Sequence, residues 1–166
     1  LKVVAFAADV GGDFLPVGQT DTRDLAQDEA GAALEELIEA QDWTVSSHVV
    51  VRDDVSEIGD AIAEAADECH ANVVLTCGGT GLSMRDVTPE ATRAVLEREI
   101  PAIPQAMIYY SLQITPRAML SRAVAGTRRN SLILNLPGSE KAARENLSAV
   151  LGALDHALKM IAGGGH

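Results

Sequence analysis

The sequence predicts an α/β fold: a three-layer sandwich whose central, mostly parallel sheet is flanked by helices. Three observations lead there. Strand-like runs at residues 3–8, 43–51 and 73–75 alternate with stretches whose apolar residues recur at helical spacing, the order that builds strand–helix–strand units. Val73, Val74 and Leu75 are apolar without alternation, as in a strand buried on both faces. Acids or glycines follow each run, and in such sheets ligands gather outside the carboxyl ends of the strands.

In chain order, residues 3–8 read as a first buried strand ending at Asp9 and Gly11-Gly12. Residues 13–24 show no periodicity and read as a surface loop. Leu25, Ala33, Leu34, Leu37 and Ile38 mark a helix over residues 25–39. The second strand, 43–51, delivers Arg52-Asp53-Asp54 to its carboxyl end, before a helix with Ile58, Ile62, Ala65 and Ala66 on one face. After the third strand and its loop, a helix is expected over 89–98. Prolines at 101 and 104 break the pattern, and a further helix is expected over 105–114, ended by Thr115-Pro116. Residues 119–126 and 131–136 read as two more strands around a turn at 127–130. Pro137-Gly138-Ser139 is a turn that caps a long last helix, 140–160, followed by a glycine tail.

A length of 166 residues suits one domain spanning 1–166, and 47% hydrophobic content suits a globular chain. Aromatic residues are only 3%, so Ala, Val, Leu and Ile must build the core. A net charge of −11 argues against nucleic-acid binding, which needs a basic face. The lysines are Lys2, Lys141 and Lys159; an acid-rich, lysine-poor surface of this kind is that of a salt-adapted protein. No signal-peptide or membrane-span pattern is visible, and Cys69 and Cys77 form no metal-binding pair. A reducing cytoplasm is the expected location.

The chain is organised around residues 72–98. Three glycines, Gly78, Gly79 and Gly81, fall within four residues after the third strand, with Thr80 between the last two. Glycine permits positive φ and lets a ligand approach the main chain. Thr88-Pro89-Glu90 reads as a helix start with a capping hydroxyl, proline at the first helical position and an acid in the first turn. Strand, glycine loop and helix N-terminus make an anion cradle. The bland alternative is a tight turn, since neither a P-loop nor Gly-x-Gly-x-x-Gly is present. Arg85 and Asp86 in the same loop favour function, because an acid beside an anion cradle implies a managed cation or proton. Asp53 and Asp54 each read as a helix N-cap or as part of the same rim.

Cys77-Gly78-Gly79-Thr80-Gly81, followed by Arg85-Asp86-Val87-Thr88-Pro89-Glu90-Ala91-Thr92, resembles the signature of the molybdopterin-binding family. That family includes molybdopterin adenylyltransferases of the Mog and MoaB type and the G domains of plant and animal fusion proteins. The resemblance continues through Ser111-Leu112-Gln113-Ile114-Thr115-Pro116, Ala118-Met119-Leu120-Ser121-Arg122 and Asn135-Leu136-Pro137-Gly138-Ser139. It covers most of the chain from Val49 onward. The first strand departs from it: Phe6-Ala7-Ala8 stand where the family often has serines, and Arg52 where many members have proline.

The resemblance implies Mg²⁺-dependent adenylyl transfer from ATP to molybdopterin in molybdenum cofactor biosynthesis. It makes Asp53 and Asp86 the catalytic, metal-holding acids. Gly78, Gly79, Thr80 and Gly81 would cradle phosphate, Ser111, Ser121 and Asn135 would meet the pterin and its phosphate, and Pro137, Gly138 and Ser139 would close the nucleotide side. It further implies a homotrimer, in some members a hexamer, and a metal-insertion enzyme as partner. A carrier that binds molybdopterin without adenylylating it is the alternative; retention of both Asp53 and Asp86 favours the enzyme.

Overall fold

A computed structural model describes residues 2–8, as backbone, and 29–163. In chain order these form β1 (Lys2–Ala8), α1 (Glu29–Glu39), β2 (Thr44–Val51), α2 (Val55–Asp67), β3 (Val73–Cys77) and α3 (Thr88–Val95). Then come β4 (Arg98–Glu99), α4 (Ala102–Leu112), a 3-10 helix (Pro116–Leu120), β5 (Ala125–Arg128), β6 (Ser131–Leu136) and α5 (Glu140–Ile161). The expectations for Asp9 and for the loop at 13–24 lie outside the described residues.

The six strands form one sheet in the order β2-β1-β3-β6-β5-β4. β2, β1, β3 and β6 are parallel, while β5 and β4 extend the sheet antiparallel. Side chains alternate between two covered faces, as the pleat dictates. Val73, Leu75, Cys77, Leu132, Leu134 and Leu136 pack with Leu34 and Ile38 of α1, Met107 of α4, and Leu147 and Leu154 of α5. On the other face Val74 and Ile133 pack with Ile58, Ile62 and Ala65 of α2 and Ala91 of α3. Continuous apolar strands are therefore covered on both sides, and the core is aliphatic, as the composition requires. Leu134 is fully buried, and cutting it to alanine would cost about 2–5 kcal/mol.

Several boundaries differ from the sequence reading. The strand expected at 119–126 is instead the 3-10 helix Pro116–Leu120, capped by Thr115, whose hydroxyl accepts from the Arg117 N–H, with β5 starting only at Ala125. Apolar Ala118, Met119 and Leu120 gave a strand-like run, but the proline and the Thr cap settle the local backbone. α3 stops at Val95, and Arg98 and Glu99 pair with β5 as β4. α4 begins at Ala102, since Pro101 is its N-cap and Pro104 stands in its first turn, where no helical N–H is lost. Thr88 is not a cap: Val87 holds that position without a side-chain bond, and Thr88 is the first helical residue. The turn between β5 and β6 narrows to Arg129-Asn130, with Arg129 at φ 49.

At the amino end of β6, Arg128 staples three elements. Its guanidinium donates to both Asp67 oxygens, at 3.0 and 2.6 Å, and to the Val95 carbonyl at 2.9 Å. The Arg128 hydrogen bond holds the Asp67 carboxyl below its ordinary range, and Asp67 in turn raises Arg128. This charge pair lies at the end of the sheet opposite the carboxyl ends of the parallel strands.

Candidate active site

Register alone assembles the rim. Ala8 pairs with Val51, Ala7 with Cys77, and Cys77 with Leu136, so the carboxyl ends of β2, β1, β3 and β6 finish nearly level. The residues that follow them, Arg52 to Asp54, Gly78 to Asp86 and Pro137 to Ser139, therefore share one edge. β2 and β3 are separated only by β1, two strand spacings or roughly 10 Å. Arg85 closes much of that gap, with Nη2 3.8 Å from Asp53 Oδ2. The loop carrying Asp86 and the turn carrying Asp53 thus face each other.

The ambiguity between the two adjacent acids resolves. Asp54 is the N-cap of α2, its carboxylate accepting from the Ser56 and Glu57 N–H groups at 2.9 and 3.0 Å. Its own N–H donates to the Arg52 carbonyl at 2.7 Å, which closes a tight turn around Asp53. The Asp53 side chain is only 12% exposed.

The glycine loop is built to bring main chains together. Gly78 and Gly79 have φ of 95 and 64, in the region that favours glycine. A Cβ on Gly79 would lie 2.3 Å from Thr88 Oγ1. That hydroxyl is buried and has no hydrogen-bond partner among the described residues. Gly78 N–H donates to the Leu136 carbonyl at 3.0 Å, and Cys77 Sγ–H to the Pro137 carbonyl at 3.0 Å, locking the β3 loop to the β6 loop. Among the described residues the N–H groups of Gly79, Thr80, Gly81, Leu82 and Val87 meet no acceptor. Unpaired amides beside a helix N-terminus are what an anion site requires.

Asp86 also has a structural role in its loop. Its Oδ2 accepts from the Ser83 N–H at 2.7 Å, while its own N–H donates back to the Ser83 carbonyl at 3.0 Å. One carboxylate oxygen is thus fixed by the turn. Among the described residues no three His, Cys, Asp or Glu side chains cluster as a metal cage. Two hard carboxylates on one rim nevertheless fit Mg²⁺, which takes few protein oxygens and completes its shell with water and phosphate.

The remaining candidates divide. Ser139 caps α5, accepting from Ala142 N–H at 3.3 Å, and Gly138 stands in the rim loop before it. Ser121 is half-buried and accepts from Ala123 N–H at 3.3 Å, next to the rim through Arg122. Ser111, in the last turn of α4, is buried, its hydroxyl accepting from Asn146 of α5 at 3.1 Å. Asn135 is fully buried below the cradle. Its amide donates to Thr76 and Thr92 hydroxyls at 2.8 and 2.9 Å, and its oxygen accepts from Val124 N–H at 3.1 Å. No donor is left for a ligand, so Asn135 reaches the site only by fixing β3 and α3.

Sequence reasoning passed over Arg122. Its backbone N–H donates to the Thr80 carbonyl at 3.0 Å, and its guanidinium to the Gly81 carbonyl at 2.6 Å, the Glu90 carboxylate at 2.5 Å and the Asp86 carbonyl. Burial pushes the Glu90 carboxyl up, but its own backbone N–H and Arg122 outweigh this and hold it below its ordinary value. The only sequence signal was its place in the Ser121-Arg122 stretch of the family pattern.

The geometry defines a class: a doubly wound α/β domain with a glycine-rich loop at the carboxyl ends of its parallel strands. The chain belongs to the molybdopterin-binding family, whose model, described as a probable molybdopterin binding domain, matches residues 13–156. It is 35% identical over 146 residues to the molybdopterin adenylyltransferase of Helicobacter pylori, covering 86% of this chain and 82% of that enzyme. Gephyrin of Dictyostelium discoideum is 46% identical over 117 residues, covering 70% of this chain but only 16% of gephyrin. Among solved structures, the molybdopterin biosynthesis enzyme MoaB of Thermus thermophilus superposes with a TM-score of 0.83 at 40% identity, over 98% of this chain and 96% of that one. The expected α/β fold and family are thereby borne out, and the relatives named adenylyltransferases are nucleotidyl-transfer enzymes.

Proposed function

We propose that this chain transfers the adenylyl group of ATP to molybdopterin, with Mg²⁺, as a step of molybdenum cofactor biosynthesis. The observation that carries the reading is the meeting of Asp53 with the Arg85–Asp86 loop across the strand ends, beside amides that have no acceptor among the described residues. An oxygen of the pterin's terminal phosphate attacks the α-phosphorus of ATP. The bond from that phosphorus to the α–β bridging oxygen breaks, and pyrophosphate leaves with the electron pair.

Both reactants are polyanions on a chain of net charge −11, so charge must be offset locally. The amides of Gly79, Thr80 and Gly81 and the N-terminus of α3 take phosphate oxygens without reorganising. Asp53 and Asp86 would hold Mg²⁺, which when bound supplies charge neutralisation at the phosphates. Arg85, 63% exposed, adds a positive charge at the same edge. Pro137, Gly138 and Ser139 wall the nucleotide side, and Ser121 and Ser111 border the pterin side. The protein works in the cytoplasm as a homotrimer, or a hexamer built from trimers, and hands its product to a metal-insertion enzyme.

The test is incubation of purified protein with molybdopterin, ATP and Mg²⁺, followed by mass analysis of the pterin and assay of pyrophosphate. Adenylylated pterin with one pyrophosphate per turnover is expected. Tight pterin binding with no adenylylation would overturn the enzyme in favour of a carrier.

A further inference from the structure

We infer that Arg122 is a positioning residue that turns the glycine loop so that its amides face the ligand; this rests on the adenylyl-transfer reading of the site. In a trans peptide the C=O and the following N–H point in opposite directions. Arg122 binds the carbonyls of Thr80, Gly81 and Asp86. The N–H groups of the same three peptides belong to Gly81, Leu82 and Val87, and among the described residues all three lack an acceptor. One side chain and its own amide therefore gather three carbonyls on one side and present three donors on the other. Without that hold, a loop containing Gly79 and Gly81 would sample peptide flips that turn carbonyl oxygens toward the phosphates.

The role is geometric more than electrostatic. Glu90, in the first turn of α3, pairs with the guanidinium at 2.5 Å and offsets its charge. What remains is the planar fork, which donates in several directions at once as an ammonium does not. Arg122 is 32% exposed and lies outside the hydrophobic core, so its loss need not unfold the sheet.

Arg122→Lys keeps the charge and removes the fork. The full chain is to be compared with this variant by amide exchange, by calorimetric titration with ATP–Mg²⁺ and with molybdopterin, and by steady-state kinetics. Expected are faster exchange at the bonded amides of Ser83, Asp86 and Thr88, unchanged exchange in the centre of β3 and β6, and affinity for at least one substrate down on the order of tenfold, the loss of one charge-assisted bond. Lysine retaining full affinity and loop protection overturns the inference, as does loss of protection spread evenly over the sheet, which would mark a purely structural residue. If Arg122→Lys does not fold, Glu90→Ala releases one corner of the guanidinium and should raise exchange at the same three amides by a smaller factor; no rise overturns the inference. A parent protein that binds neither substrate overturns the proposed function instead, and the exchange data then decide the loop's dependence on Arg122 by themselves.

Discussion

A Cβ on Gly138 would stand 3.1 Å from the Cα of Gly78, so the loops after β3 and β6 meet backbone to backbone. Gly138 does not have a positive φ, and alanine there is conformationally permitted. The cost is steric, against main chain that has little room to yield. Gly138→Ala should therefore destabilise by about 1–3 kcal/mol and also weaken ligand binding, because the Gly78 amide bond to Leu136 and the Cys77 bond to Pro137 share that contact. Denaturant melts alongside titration with ATP will check both; equal stability and affinity would mean the loops have slack.

Gly79 is the harsher position. With a φ of 64 and a Cβ site 2.3 Å from Thr88 Oγ1, any side chain at residue 79 taxes the fold as well as the approach of phosphate. Even Gly79→Ala should cost about 2–3 kcal/mol, from the left-handed backbone and the overlap together. Thr88→Ala removes the obstructing hydroxyl, which donates to nothing among the described residues. The double variant should recover part of the loss, giving a coupling of roughly 0.5–2 kcal/mol in a thermodynamic cycle. Strict additivity would show that only the backbone conformation matters at residue 79.

What the sequence revealed follows from how local each signal is. Val73 to Leu75 and Leu132 to Leu134 mark their strands correctly because a parallel strand buried on both faces is apolar without alternation, and the glycine loop is read correctly because three glycines so close have few uses. The strand at 119–126 fails because a short apolar run does not reveal its own backbone, and Thr115-Pro116 nearby carried the stronger instruction. Asp53 and Asp54 are indistinguishable by type; only the geometry of the Ser56 and Glu57 amides says which one caps. Asn135 looked like a ligand contact because polar residues in motifs often are, yet its partners Thr76 and Thr92 lie 59 and 43 residues away. Arg122 was hidden for the same reason, with bonds reaching back 41, 36 and 32 residues.

Acid should loosen the end of the fold opposite the site. The Asp67 carboxyl is held below its ordinary value, chiefly by the Arg128 hydrogen bond. A depressed carboxylate contributes stability that is present above its unfolded value, about pH 3.9, and is lost as pH falls toward the folded value. Melting temperature should therefore decline as pH is lowered through about 4, and the decline should be shallower in Asp67→Asn, which has already lost the charge. Parallel curves for the two proteins between pH 6 and 3 would remove Asp67 from the acid response.

Asp53 and Asp54 offer the sharpest test of the site, since two neighbouring carboxylates have separable roles. Asp54 satisfies two amides at the start of α2, so Asp54→Ala should cost about 1 kcal/mol of stability and leave turnover close to the parent's below the melting range. Asp53 stands at the edge reached by Arg85, and Asp53→Asn preserves its shape while removing its charge. If that charge helps hold Mg²⁺ between two polyanions, turnover should fall on the order of 10²–10³-fold, with near-parental melting and partial recovery at high Mg²⁺. Asp86→Asn should behave like Asp53→Asn in rate. It should also lose a little stability, because a neutral amide oxygen accepts from Ser83 N–H more weakly than the carboxylate does. The decisive measurement is melting temperature and adenylyl-transfer rate for all three variants across one Mg²⁺ series. Normal turnover by Asp53→Asn at every Mg²⁺ concentration would remove Asp53 from the metal site, and a rate loss in Asp54→Ala exceeding that in Asp53→Asn would exchange the roles of the two acids.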